Sequence, residues 1–184
     1  MDLGIKNKIA LVTAASQGLG KAAAIELANE GTKLAICSRN EEKINETAEE
    51  IQKLSGSEVL PVKADLDNKE DIENLILEIE KKFNTIDILI NNTGGPKPGF
   101  FDDLSDEDWL QSFESTFLSA VRVTRKVLPF MKKNKWGRIV NISSVSAKQP
   151  IDNLMLSNGI RMSVHGWAKT LSNQVASDNI LINN

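Results

Sequence analysis

Residues 8–31 read KIALVTAASQGLGKAAAIELANEG. The first six suit a buried strand, and the alanine-rich remainder has the composition of a helix. Between them, Gly18 and Gly20 permit a tight turn that would aim the first NH groups of the helix at an anion such as a pyrophosphate. A dinucleotide fingerprint would place another glycine at position 14, where the chain has Ala14. Two glycines after a strand mean little alone. They gain weight inside a β-α-β unit, so the flanking sequence decides their meaning.

Further strand-like runs follow at 33–38, 58–63, 86–91, 138–143 and 180–183. Their near-continuous apolar character predicts a parallel sheet covered on both faces, rather than an antiparallel sheet with one wet side. Helical periodicity fills the gaps. Ile72, Leu75, Ile76, Ile79 and Phe83 form one stripe at spacings of three and four. Trp109, Phe113, Phe117, Ala120, Val121, Thr124, Leu128 and Met131 form a longer one, predicting a helix over 105–133. Ser105 with Asp108 resembles a capping box at its start. A last helix is predicted over 157–176. Strict alternation of strand and helix implies right-handed crossovers and an α/β fold with a doubly wound parallel sheet, a Rossmann-like three-layer α/β/α sandwich. The expected organisation is one dinucleotide-binding domain over residues 1–184. The final ILINN leaves a strand with no helix to cover it, which predicts a further C-terminal portion.

Composition removes several function classes. At 41% hydrophobic and 26% charged residues the chain reads as an ordinary globular domain. A net charge of −3 with scattered basic residues offers no footprint for nucleic acid. A single cysteine, Cys37, and a single histidine, His165, argue against a zinc cluster, a histidine metal site and a Ser-His-Asp triad. No apolar run reaches the roughly 20 residues of a membrane span, and no signal-peptide pattern opens the chain. A cytoplasmic protein without a membrane partner is the expectation.

The second strand ends Cys37-Ser38-Arg39-Asn40. An acidic residue there would bind the free ribose 2′-hydroxyl of NAD. A small hydroxyl beside a cation suits a 2′-phosphate instead, so NADP is expected over NAD. Asp65, after the third strand, is placed to receive the adenine amino group or to cap a turn.

Taken together, these motifs resemble the short-chain dehydrogenase/reductase family from residue 5 to the end. Thr13–Gly20 (TAASQGLG) is similar to its glycine motif, Asn91–Gly94 (NNTG) to its Asn-Asn-Ala-Gly, and Gly137–Val145 (GRIVNISSV) to its fifth strand. The 3-oxoacyl-acyl-carrier-protein reductase-like branch is the nearest match, and GGPKPG (94–99) resembles a subgroup within it. The resemblance implies a nicotinamide cofactor held by Thr13, Ser16, Gly18, Leu19, Gly20, Ser38, Arg39, Asp65, Leu66, Asn92, Gly94 and Arg161. It also implies a small-molecule carbonyl or alcohol substrate and a homodimer or homotetramer paired through the two long helices.

The same resemblance puts the active-site serine on Ser144, the tyrosine position on Ser157, the lysine position on Arg161 and the helix asparagine near Thr116. The chain has no tyrosine at all. A phenol with a pKa near roughly 10 can be tuned into a proton donor, whereas an aliphatic hydroxyl is far less acidic. Arg161 keeps a charge that can hold ribose hydroxyls but does not cycle protons. The expected catalytic set is therefore Ser144, Ser157 and Arg161, with water, Lys148 or a group beyond residue 184 as a substitute proton source. The alternative is a weakly active or inactive dinucleotide sensor of the same fold. His165 is expected to pack or to face an interface, and Lys135 and Trp136 to form a surface turn.

Overall fold

Strand β1 (Ile9–Val12) is buried at every position, and so is β4 (Ile88–Asn91). They lie side by side at the centre of a six-stranded, all-parallel sheet ordered β3-β2-β1-β4-β5-β6 in a computed structural model that describes residues 2–184. The other strands are β2 (Lys33–Ser38), β3 (Val59–Lys63), β5 (Gly137–Asn141) and β6 (Ile180–Asn183). Strand order reverses between β1 and β4, which opens a crevice beyond their C-terminal ends where open α/β sheets take ligands. The doubly wound α/β expectation is met. Pro61 shows why β3 is an edge: it pairs only with β2, and a residue without an N–H is tolerated where one side has no partner.

Helices cover the sheet in two layers. Helices α1 (Gly18–Asn29) and α2 (Glu41–Ser55) seal one face through Ala24, Ala28, Ile44 and Ile51. Helix α3 (Lys69–Phe83) buries the predicted stripe of Ile72, Leu75, Ile76, Ile79 and Phe83 on the other. Beside it run α5 (Ser119–Asn134) and α6 (Met155–Val175). Asn40 and Asn68 cap α2 and α3 by accepting backbone N–H groups, with acidic residues in each first turn to complement the helix dipole.

The helix expected over 105–133 is divided. It begins as α4 (Asp106–Phe113), opened by the Ser105–Asp108 capping box. It then widens into a π-turn (Glu114–Leu118) before α5. The extra residue rotates the inward face. Thr116, Ala120, Val123, Val127 and Met131 are buried against the sheet, while Phe113 and Phe117 turn outward. Phe117 packs edge-on to Trp167 of α6, with ring centroids 6.1 Å apart. Val121 accordingly leaves the core line that simple periodicity gives it.

At the opposite end of the sheet, Trp136 lies between Lys8 and Arg138, whose cations sit 4.3 and 4.4 Å from the ring. The expected surface turn is thus a stacked corner. Buried Asp87 accepts from the backbone N–H of Ile9 there, tying β1 to β4.

Candidate functional site

The crevice beyond β1 and β4 is a cleft of about 620 Å³. Its floor is the turn between β1 and α1. Gly18 adopts φ +59° with open space where a side chain would project, leaving backbone N–H groups free to approach a ligand. Gly20 has the opposite constraint. A Cβ there would lie 2.6 Å from both the Ala14 carbonyl oxygen and Asn92 Nδ2. Asn92 Nδ2 donates to that carbonyl at 3.1 Å, and Thr13 Oγ1 accepts from the Asn92 N–H at 2.8 Å. Thr13 and Gly20 therefore set the turn from behind, while Ser16, Gly18 and Leu19 line the cleft. Ala14 takes φ +47°, the left-handed region a glycine would occupy without strain.

One end of the cleft is built by β2 and α2. Ser38 is buried, its hydroxyl donating to the Asn40 carbonyl at 2.9 Å, and Arg39 stands exposed beside it. Asn40 and Lys43 line the same end. Sequence reading passed over both, because Lys43 reaches the cleft only through the first turn of α2. Asp65 and Leu66 form the far wall with Asp67. Gln111 Nε2 donates to Asp67 Oδ2 at 2.9 Å, so α4 closes this wall from a distance in sequence that no local motif reveals. Burial and the neighbouring Asp65 carboxylate push the Asp67 pKa up. Asn92 and Gly94 line the other end, where the cleft passes toward β5.

Past the end of β5, hydrogen bonds link Ser144, Ser146 and Ser157. Ser144, half-buried, accepts the Ser146 N–H on its Oγ at 3.1 Å as a short 3₁₀ turn begins (Val145–Ala147). That contact leaves its O–H free to donate. Ser157 is buried in the first turn of α6, and its hydroxyl pairs with Ser146 Oγ at 3.1 Å. Ser146 thus links the two, a role its place in SSVSA does not disclose. Arg161 is 9% exposed and donates from Nη1 to the Ile142 carbonyl at 3.0 Å, which anchors the guanidinium to the end of β5. Burial lowers its pKa from the ordinary guanidinium value. A guanidinium remains protonated nonetheless.

Lys148 is exposed just past the 3₁₀ turn. His165 packs inward from α6, its Nε2 2.8 Å from Ser143 Oγ. Cys37 is fully buried, and loss of solvent pushes its thiol up to about 12.

The cleft fits a dinucleotide on its own evidence: a glycine turn open at Gly18, a close approach that only Gly20 allows, and a cationic end at Arg39 and Lys43. Known proteins agree. The chain is 32% identical over 183 residues to the 3-oxoacyl-[acyl-carrier-protein] reductase FabG of Aquifex aeolicus, covering 100% of this chain and 74% of that protein. It superposes with a TM-score of 0.95 on L-sorbose reductase from Gluconobacter frateurii complexed with NADPH and L-sorbose. Identity there is 30%, over 98% of this chain and 68% of the other. A 7α-hydroxysteroid dehydrogenase complexed with NADH matches with a TM-score of 0.92 and 27% identity, over 97% and 69%. The family described as short chain dehydrogenase matches residues 8–184. Cleft, topology and sequence converge, and the chain belongs to the short-chain dehydrogenase/reductase family of oxidoreductases.

Proposed function

We propose that this chain is an NADP(H)-dependent oxidoreductase acting on a small carbonyl/alcohol pair with a modified catalytic set. The observation that carries the cofactor choice is the end of the cleft where Ser38, Arg39, Asn40 and Lys43 come together. Two cations favour a 2′-phosphate, and the residue that follows β2 is Arg39 where a free 2′-hydroxyl would call for a carboxylate. A bound nicotinamide would supply or accept the hydride.

The chain's own residues do the rest. The free O–H of Ser144 donates to the substrate oxygen, and Ser157, coupled to Ser146, presents a second hydroxyl beside it. Arg161, fixed to the Ile142 carbonyl, holds ribose hydroxyls and biases the site toward developing negative charge on oxygen. None of these groups is a good acid at neutral pH, so the final proton comes from water. Turnover is therefore slow by the standard of a site with a titratable acid, where general acid–base catalysis contributes roughly 10²–10⁴-fold.

One observation favours a second reading, a dinucleotide sensor. The Ser157 hydroxyl is buried and already paired with Ser146, leaving little to offer a substrate. Calorimetric titration of the full chain with NADPH and with NADH tests the common premise. NADPH should bind more tightly; absence of binding by either removes both readings. A panel of carbonyl compounds followed by NADPH oxidation then separates them, with tight binding and no turnover selecting the sensor.

Among the described residues no helix is long and apolar enough to cross a membrane. We place the protein in the cytoplasm. Leu110 and Met162 expose apolar surface on α4 and α6, and a second copy packed there would make a homodimer or homotetramer.

A further inference from the structure

The cleft holds two carboxylates and two cations along one lining: Asp65 and Asp67 in its far wall, Arg39 and Lys43 at the end built by β2 and α2. Opposite charges that share a cleft tend to close on one another. Among the described residues neither Arg39 nor Lys43 forms an ion pair.

The carboxylates are engaged elsewhere, in a chain of donors. Asp71 Oδ2 accepts the Asp65 N–H at 2.8 Å, and Asp65 Oδ1 accepts the Asp67 N–H at 3.1 Å. The chain ends at Asp67, whose Oδ2 takes its donor from a side chain, Gln111 Nε2 of α4, at 2.9 Å. On the other side of the cations, Glu41 faces Lys63 at 3.9 Å. Asp67 is half-buried and feels Arg39 directly. Burial and the Asp65 carboxylate push its carboxyl up, while the Gln111 hydrogen bond and the Arg39 charge hold it down.

The neutrality of Gln111 matters. An amide N–H satisfies a carboxylate oxygen and fixes its direction without bringing in a cation. Without that donor the carboxylate turns to the nearest positive charge. An Arg39 so paired is removed from ligand binding, and apparent affinity falls with the fraction of molecules still competent.

We propose that Gln111 is a specificity-determining residue for the cofactor: by holding Asp67 toward α4 it leaves Arg39 unpaired for the 2′-phosphate. It is a positioning residue, acting through Asp67 on Arg39. The proposal rests on the NADP(H) reading of the cleft. Its effect falls on NADPH and spares NADH, which has no 2′-phosphate for Arg39 to meet.

Gln111→Met keeps the length of the side chain and removes the donor, at an exposed position that the fold tolerates. Calorimetric titration of the full chain should show NADPH binding weakened by about threefold to fivefold, the scale of one partly exposed ion pair, with NADH binding unchanged. Asp67→Asn should then recover the loss, and by more than it gains in the wild-type background, because no carboxylate is left to capture Arg39. Additive effects of the two substitutions overturn the proposal. So do equal losses for both cofactors, which would make Gln111 a structural tie between α4 and the loop after β3, and so does an unchanged NADPH affinity in Gln111→Met. The wild type separates this failure from that of the proposed function. A wild type that binds no NADPH, or prefers NADH, brings down the NADP(H) reading and the role of Gln111 with it. A wild-type preference for NADPH that Gln111→Met leaves intact brings down the role of Gln111 alone.

Discussion

Two regions of the molecule meet different demands. Around the ends of β1 and β2 the chain holds fixed shape and fixed charge: the open turn at Gly18, the close approach at Gly20, and cations at Arg39 and Lys43. Around the end of β5 and the start of α6, on the proposed reading, it keeps the positions of a reductase site while changing the groups that occupy them. Ser157 and Arg161 stand there as a weak hydroxyl and a permanent cation. Binding an anion needs no proton to move, so the first region works with backbone and charge alone. Proton delivery needs a group whose pKa can be brought near the working pH, and Ser144, Ser157 and Arg161 are not such groups. The difference separates what this chain can hold from what it can transform.

The direct way to break that difference is to give the second region an acid. Ser157→Tyr combined with Arg161→Lys should raise NADPH oxidation across a carbonyl panel by about 10²-fold, the low end of general acid catalysis. NADPH affinity should hold within a few-fold, since the lysine keeps a cation for the ribose hydroxyls and Arg39 and the glycine turn are untouched. A flat rate would mean that the surroundings, Ser146 foremost, have been reshaped to suit a small side chain.

The next largest effect attacks the first region. Gly20→Ala places a methyl 2.6 Å from the Ala14 carbonyl and Asn92 Nδ2, so the turn must shift. Overpacking of this kind costs about 1–3 kcal/mol, and NADPH binding should weaken by a comparable factor of roughly 10–100. Thermal unfolding and calorimetry read both losses. An unchanged Tm would show that the turn is looser than the contact between α1 and β4 implies.

Arg39→Ala sharpens the comparison without disturbing packing, because the side chain is exposed. Charge-assisted hydrogen bonds contribute roughly 1.5–3 kcal/mol, which corresponds to a ten- to hundredfold loss for NADPH and almost none for NADH. Lys43 shares the same end of the cleft and should retain part of the preference, placing the result toward the smaller figure. Equal losses for both cofactors would move the 2′-phosphate away from this end.

The sequence discloses these regions unevenly, for physical reasons. Burial on both faces stamps a continuous apolar run on each strand, so the sheet and the two-layer covering are legible from β1, β2 and β4. Periodicity is blind to one extra residue in a helix, and the π-turn at Glu114–Leu118 therefore looked like uninterrupted helix. Thr116 is buried within that turn. Partners brought in by tertiary contact, such as Gln111 on Asp67 and Ser146 on Ser157, leave no mark in local spacing.

The smallest effect concerns the residue with which the glycine motif departs from its usual form. Ala14 sits at φ +47°, where a Cβ meets the following carbonyl and costs about 1–2 kcal/mol in the left-handed region. Ala14→Gly removes that strain, while the added freedom of glycine in the unfolded chain returns roughly 0.4–1 kcal/mol of it. The net expectation is a gain of about 0.5 kcal/mol, read as a rise in Tm of roughly 1–2 °C. Because Ala14 also lines the cleft, loss of its methyl should let a pyrophosphate settle closer to the turn and tighten NADPH binding modestly. A drop in Tm with tighter binding would mean that Ala14 stiffens the empty turn at some cost to the ligand. A drop in both would mean that the methyl packs against the cofactor, and the left-handed strain would then be a condition of binding in the region that otherwise departs least from the family.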